Sequence, residues 1–259
     1  MNQTMAETEP GTGRHELAHE IPVETGWRQD LAALRRQLDP QVLIICLSAA
    51  LILGLQRYFA QYPLIAEWLK PLVPADKLEM TGSLLWCGAI VLLYAGLPML
   101  VIKLLLKQKL EDYGWSLAGL RYHWKPYAIF YAVMVLPLLL AASTPAFQQM
   151  YPFFKYVATG WQYFLIWQLA YALQFVAVEF FFRGFLVFGL YPRLGFYGVF
   201  VAMLPYCMIH FFKPFGESLG AIAAGIVLSY LALKNRSIWG GAGLHWGVAV
   251  TMDLAAILI

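Results

Sequence analysis

The chain has 259 residues, 61% of them apolar and only 13% charged, with a net charge of +3 and a mean hydropathy of +0.62. A soluble domain carries about 45–50% apolar and about 25% charged residues, so the apolar surplus must face lipid, and a polytopic membrane protein is expected. The small net charge and the lack of a basic, aromatic-laced patch exclude a nucleic-acid binder. The three scattered cysteines, Cys46, Cys87 and Cys207, exclude a disulfide framework or a CxxC redox pair.

Residues 1–26 are polar and rich in Gly, Pro, Thr and Glu, the composition of a disordered tail. They lack the basic and apolar stretches of a signal peptide. Residues 27–38 alternate apolar and charged positions at helical spacing, which predicts a short interfacial helix ending before Pro40. The domain plan is therefore a polar cytoplasmic tail with a short amphipathic helix over 1–40 and a transmembrane bundle over 41–259. Spans of about 20 apolar residues are expected at 41–59, 82–105, 125–142, 161–182 (or running to 190), 195–212, 218–234 and 238–258. Between them, 107–124 reads as a polar, basic surface segment and 143–160 as a longer loop with interfacial aromatics. No repeat and no strand-like alternation of a membrane β-barrel occurs. The fold class is all-α, a polytopic transmembrane helical bundle of about seven spans.

Orientation follows from lysine and arginine placement. With the N-terminus inside, the inner segments hold Arg14, Arg28, Arg35, Arg36, Lys107, Lys109, Arg121, Arg193, Lys234 and Arg236. The outer loops then hold only Lys70, Lys77, Lys155 and Lys213. An N-in, C-out chain is expected.

Glu179, Arg183, His210, His245 and Asp253 stand out against this apolar background. A charge at the bilayer centre costs roughly 2.5–3.5 kcal/mol on insertion scales, so such residues face the bundle interior and mark function. Glu179 and Arg183 are four apart, on one helix face, and able to pair. That pair alone is equally well explained as a lock between helices. The two histidines, on other helices near the C-terminus, make a purely structural role harder to sustain. Gly240, Gly241, Ala242, Gly243 and Gly247 around His245, and Gly220, Ala223, Ala224 and Gly225 in the preceding span, let helices approach closely. Counted from the inner ends of their spans, His245 lies roughly 10 Å deep, Glu179 roughly 15 Å and His210 roughly 20 Å. Asp253 is two turns beyond His245 and about 80° around the helix, so it either shares their cavity or faces elsewhere. Glu217 and Lys213 read as a solvated loop end.

Two motifs are read as decoys. HELAH (His15, Glu16, His19) matches the HExxH zinc signature, but it stands in the polar tail without a third ligand or a cleft. GESLG (Gly216 to Gly220) matches GxSxG, but the nucleophile elbow needs a strand-to-helix turn, whereas Ser218 opens a transmembrane helix.

The ordered stretches EFFFRG (179–184), YCMIH (206–210) and LHWG (244–247) resemble the CPBP family, which includes the type II CAAX prenyl endopeptidases and bacterial Abi proteins. The resemblance covers roughly 125–258, the expected catalytic core. It implies an intramembrane endopeptidase of glutamate type. Glu179 would be the general base, His210 its partner, His245 an electrophilic helper and Arg183 an orienter. The chain departs from the family pattern at Val178, where a first glutamate is usual, and at Ala249, where Asn or Asp is usual. The expected substrate is a membrane-embedded or membrane-tethered, lipid-modified or sorting-signal peptide, cleaved by activated water in a bacterial inner (cytoplasmic) membrane. The expected partners are that substrate and the lipid bilayer, with no nucleic acid. No cofactor is expected, and zinc is the lesser alternative because the carboxylate is needed as a base. The departures favour one rival, a catalytically silent binding, chaperone or immunity protein. A proton-coupled transporter using Glu179 and Asp253 is another rival, opposed by the lack of an internal repeat.

Overall fold

In the computed structural model, residues 26–117 and 124–259 are described. The HELAH stretch, Arg14 and Arg121 lie outside them. The chain divides into two units, Met1–Leu38 and Asp39–Ile259. In the first, α1 (Trp27–Gln37) carries Asp30 in its opening turn and Arg35 and Arg36 in its closing turn, and buries no residue. Those charges complement the helix dipole at both ends.

The second unit is built of α2 (Pro40–Phe59), α3 (Tyr62–Leu69), α4 (Ala75–Leu106), α5 (Lys125–Ala142), α6 (Pro145–Met150), α7 (Trp161–Leu194), α8 (Tyr197–Met208), α9 (Phe215–Asn235) and α10 (Trp239–Leu258). Among the described residues, α2, α4, α5, α7, α9 and α10 are long and apolar enough to cross a membrane. Their outward leucines, among them Leu47, Leu51, Leu140, Leu169 and Leu173, are more than half exposed. Apolar side chains on the outside of a helical bundle are what lipid contact requires, and the chain is a multi-pass membrane protein.

The span expected at 195–212 is shorter than the sequence suggested. The helix α8 has 12 residues, about 18 Å of rise against a hydrocarbon core of about 30 Å. Beyond Met208 the backbone closes in tight turns, with the His210 N–H bonded to the Cys207 carbonyl and the Lys213 N–H to the His210 carbonyl. His210 therefore stands in the turn after a helix rather than within one.

Local chemistry sets the element ends. The Asp39 carboxylate accepts from the Gln41 and Val42 N–H groups at 2.9 and 3.1 Å, an N-cap with Pro40 in the first turn. Arg193, at the far end of α7, reaches the same carboxylate at 2.8 Å. Gln41 also donates to the Gly189 carbonyl at 2.7 Å and accepts from Gln108 at 3.0 Å, tying α2 and the end of α4 to α7.

The organising element is α7. Its most apolar stretch is 89% buried, against 11–33% for the other spans, and α2, α4, α8, α9 and α10 all pack on it. Phe180, Phe181, Phe182 and Phe185 are sealed in the main core with Tyr94, Ile45 and Leu190. A second cluster joins Cys87, Phe154, Trp167, Tyr171, Phe175 and Ala249.

Candidate functional site

A stripe of residues at four-residue intervals runs along one face of α7: Trp167, Tyr171, Phe175, Glu179 and Arg183. Its rings form a ladder, with centroids 4.5 Å apart from Trp167 to Tyr171, 4.4 Å from Tyr171 to Phe175 and 4.3 Å from Phe175 to His245 on α10. The ladder delivers the His245 ring to Glu179. There α7 changes from α to π winding, over Phe180–Phe188, a local distortion that recurs at functional sites.

Three of the four candidate residues meet directly. Arg183 Nη1 lies 3.0 Å from Glu179 Oε1, and His245 Nδ1 lies 3.2 Å from the same oxygen. The Arg183 contact is an ion pair without an aligned hydrogen bond, since among the described residues Nη1 and Nε lack hydrogen-bond partners and Nη2 donates weakly to the Ala224 carbonyl at 3.4 Å. Glu179 and Arg183 side chains are each 1% exposed, whereas His245 is 18% exposed. Two full charges this deep persist only as a pair. The other carboxylate oxygen, Oε2, is buried without a hydrogen-bond partner among the described residues and faces Gly241.

His210 joins through Tyr206. Its Nδ1 donates to the Tyr206 carbonyl at 2.8 Å, because a carbonyl can only accept. The Tyr206 ring lies 4.9 Å from the His210 ring and 6.2 Å from the His245 ring, and 4.0 Å beneath the Arg183 guanidinium carbon. Thus the structure sets His245, rather than His210, on Glu179, and His210 meets the site through the Tyr206 ring and carbonyl. Tyr206 opens YCMIH, where the sequence alone assigns it no role. Its place four residues before the histidine, and the four-residue stripe on α7, were the signals available.

Asp253 belongs elsewhere. Buried to 1% exposure, it accepts from Trp167 Nε1 at 2.9 Å and Gln168 Nε2 at 2.8 Å. Lys213 and Glu217, read above as a solvated loop end, form a half-buried ion pair. The Tyr151 hydroxyl donates to Glu217 at 2.9 Å. Burial first, and then the Glu217 carboxylate, push the Tyr151 phenol well above its usual pKa. The Ser218 hydroxyl donates to the His210 carbonyl at 2.6 Å, so it is engaged with backbone rather than with an imidazole. Val178 lies in the main apolar core and Ala249 in the second cluster.

No curated protein and no solved structure matches the chain. Residues 160–251, which contain Glu179, Arg183, His210 and His245, match the family model described as type II CAAX prenyl endopeptidase Rce1-like. Over that stretch the chain is similar to the type II CAAX prenyl endopeptidases.

Proposed function

We propose that this protein is an intramembrane endopeptidase of glutamate type. Its substrate is a membrane-embedded or membrane-tethered peptide, lipid-modified or carrying a sorting signal, hydrolysed by water activated at the Glu179 site. The observation that carries this reading is the Glu179–His245 contact, held by Arg183 inside the bundle. Hydrolysis within a bilayer needs a polar, shielded pocket that holds water and a group to take its proton. Arg183, His210 and His245 complete the site with Glu179. The protein sits N-in in a bacterial inner membrane, with the polar segment 1–40 in the cytoplasm and the catalytic core over about 125–258.

The hydrolysis is metal-independent in this proposal. The Glu179 oxygen that meets other groups is taken by Arg183 and His245, and His210 spends its Nδ1 on a carbonyl. Among the described residues no three His, Cys, Asp or Glu side chains converge as metal ligands. Dialysis against a zinc chelator should leave cleavage unchanged; loss that added zinc restores would overturn this point.

The test compares the termini of membrane and secreted proteins, by mass spectrometry, in cells carrying wild type or Glu179→Ala. Ends that change with Glu179 support proteolysis. A second reading, a catalytically silent binding protein, draws on the apolar burial of Val178 and Ala249. Unchanged termini, with a partner that co-purifies equally with wild type and Glu179→Ala, would establish it.

A further inference from the structure

Glu179, Arg183 and His245 stand on long helices, whereas His210 lies beyond Met208, where α8 ends. Its turn closes through single backbone bonds. The His210 N–H meets the Cys207 carbonyl at 2.9 Å, the Phe211 N–H meets the Met208 carbonyl at 3.2 Å, and the Lys213 N–H meets the His210 carbonyl at 3.0 Å. A short turn of this kind opens locally at far lower cost than a packed helix, so a histidine held there needs support from outside the turn.

That support reaches it from two sides. Ser218, in the first turn of α9, donates its hydroxyl to the His210 carbonyl at 2.6 Å. One residue earlier, Glu217 pairs with Lys213 and accepts from the Tyr151 hydroxyl at 2.9 Å, with Lys213 Nζ 3.5 Å from the same hydroxyl. Phe211 and Phe212, beside Lys213, are 61% and 76% exposed. In those apolar surroundings an unpaired charge is costly, which favours the closed triad. Tyr151 itself is 3% exposed and opens a segment strapped to the bundle. The Glu79 carboxylate on α4 accepts from the Lys155 and Tyr156 N–H groups at 2.8 and 3.2 Å, and the Tyr156 hydroxyl meets Ser83 Oγ at 3.0 Å. Phe153 stacks on Trp86 at 5.7 Å, and Phe154 packs edge-on to Trp167 at 4.9 Å. The strap is thus fixed to α4 and to the foot of the ring ladder on α7, and it reaches the His210 turn through the Tyr151 hydroxyl.

We propose that Tyr151 is a positioning residue for the hydrolysis, acting through Glu217 and Lys213 to hold the turn that carries His210. This rests on the peptidase reading, keeps Glu179 as the base and adds what places His210 at the site. Because His210 Nδ1 donates to the Tyr206 carbonyl, Nε2 is the ring nitrogen left able to accept from water or substrate. A turn displaced by about 1 Å carries that nitrogen with it, and a misplacement of this size costs up to about 100-fold in rate.

Histidine ring signals of the full-length protein, labelled with carbon-13 and held in detergent micelles, read the position directly. His210→Gln and His245→Gln assign the two signals. Tyr151→Phe should shift the His210 signal and leave the His245 signal in place, whereas a general loosening of the bundle would move both. Processing is followed on a synthetic peptide spanning a terminus that wild type alters. Tyr151→Phe should lower kcat about 10-fold and change KM less than about 2-fold, because the hydroxyl touches the turn rather than the substrate. Should Tyr151→Phe fail to fold, Glu217 carries the test. Glu217→Gln keeps an acceptor for Tyr151 and should exceed Glu217→Ala about 10-fold in kcat. An unmoved His210 signal, a wild-type kcat in Tyr151→Phe, or equal activity in the two Glu217 variants overturns the role given to Tyr151 and leaves the peptidase reading standing. Wild type that alters no termini would end the peptidase reading itself.

Discussion

Gly241 lies against the Glu179 carboxylate so closely that a β-carbon added at Gly241 would collide with Oε2. A glycine here lets α10 carry His245 to its partner on α7. The carboxylate cannot swing aside, because Arg183 and His245 hold its other oxygen. Gly241→Ala should therefore lower stability by about 1–3 kcal/mol through overpacking and reduce processing by disturbing the Glu179–His245 contact. Gly243, two residues on, has open space at its β-carbon position, so Gly243→Ala should be neutral or stabilising by up to about 1 kcal/mol. Thermal unfolding in detergent, beside the termini comparison, checks both.

Much of this site was legible from residue types and spacing. The four-residue step from Glu179 to Arg183 predicts one helix face, and the small residues around His245 predict close helix approach; both are observed. The partner of Glu179 was not legible. Depth counted along ideal spans set the two histidines roughly 10 Å apart and could not choose between them. The actual choice depends on where α8 stops, and its end is made by backbone turns through 207–213. Nor could composition reveal that α7 is π-wound beyond Glu179. Asp253 was ambiguous for a similar reason: at about 80° from His245 it could face either way, and Trp167 and Gln168 decide it.

Asp253 serves as a buried anchor between α10 and the start of α7. Asp253→Ala would strand the Trp167 and Gln168 donors, and hydrogen bonds to a charged group contribute about 1.5–3 kcal/mol each. A loss of about 2–4 kcal/mol is expected, with Asp253→Asn costing less because an amide oxygen still accepts. Denaturation in mild detergent measures both variants. Processing by Asp253→Asn should persist. A variant that stays folded and loses all processing would return Asp253 to the functional site.

Asp39 gives the folded state a pH dependence of known sign. The Val42 backbone N–H foremost, with Arg193 and the Gln41 N–H, holds its carboxyl below the usual carboxylate range. A lowered folded pKa means that its stabilisation is complete above the unfolded value, about 4, and fades as pH falls through the folded value. The Tm difference between wild type and Asp39→Ala should be greatest near neutral pH and shrink on acidification below about pH 4. A difference that grows with acid would contradict the cap.

Tyr206 unites the site by two separable means, its ring and its carbonyl. The ring supports Arg183 at 4.0 Å and packs edge-on to Phe182 at 5.2 Å, while the backbone carbonyl fixes His210. Tyr206→Phe keeps both and should process at close to the wild-type rate. Tyr206→Leu keeps the carbonyl but removes the π face from a buried guanidinium, a contact worth up to about 2 kcal/mol when desolvated. Arg183 would then lose the platform that holds it against Glu179, and processing should fall about 10-fold or more, the rate equivalent of 1.4 kcal/mol. Quantified substrate termini in cells carrying each variant read the difference. If Tyr206→Phe were as impaired as Tyr206→Leu, the hydroxyl, rather than the ring, would be what the site requires.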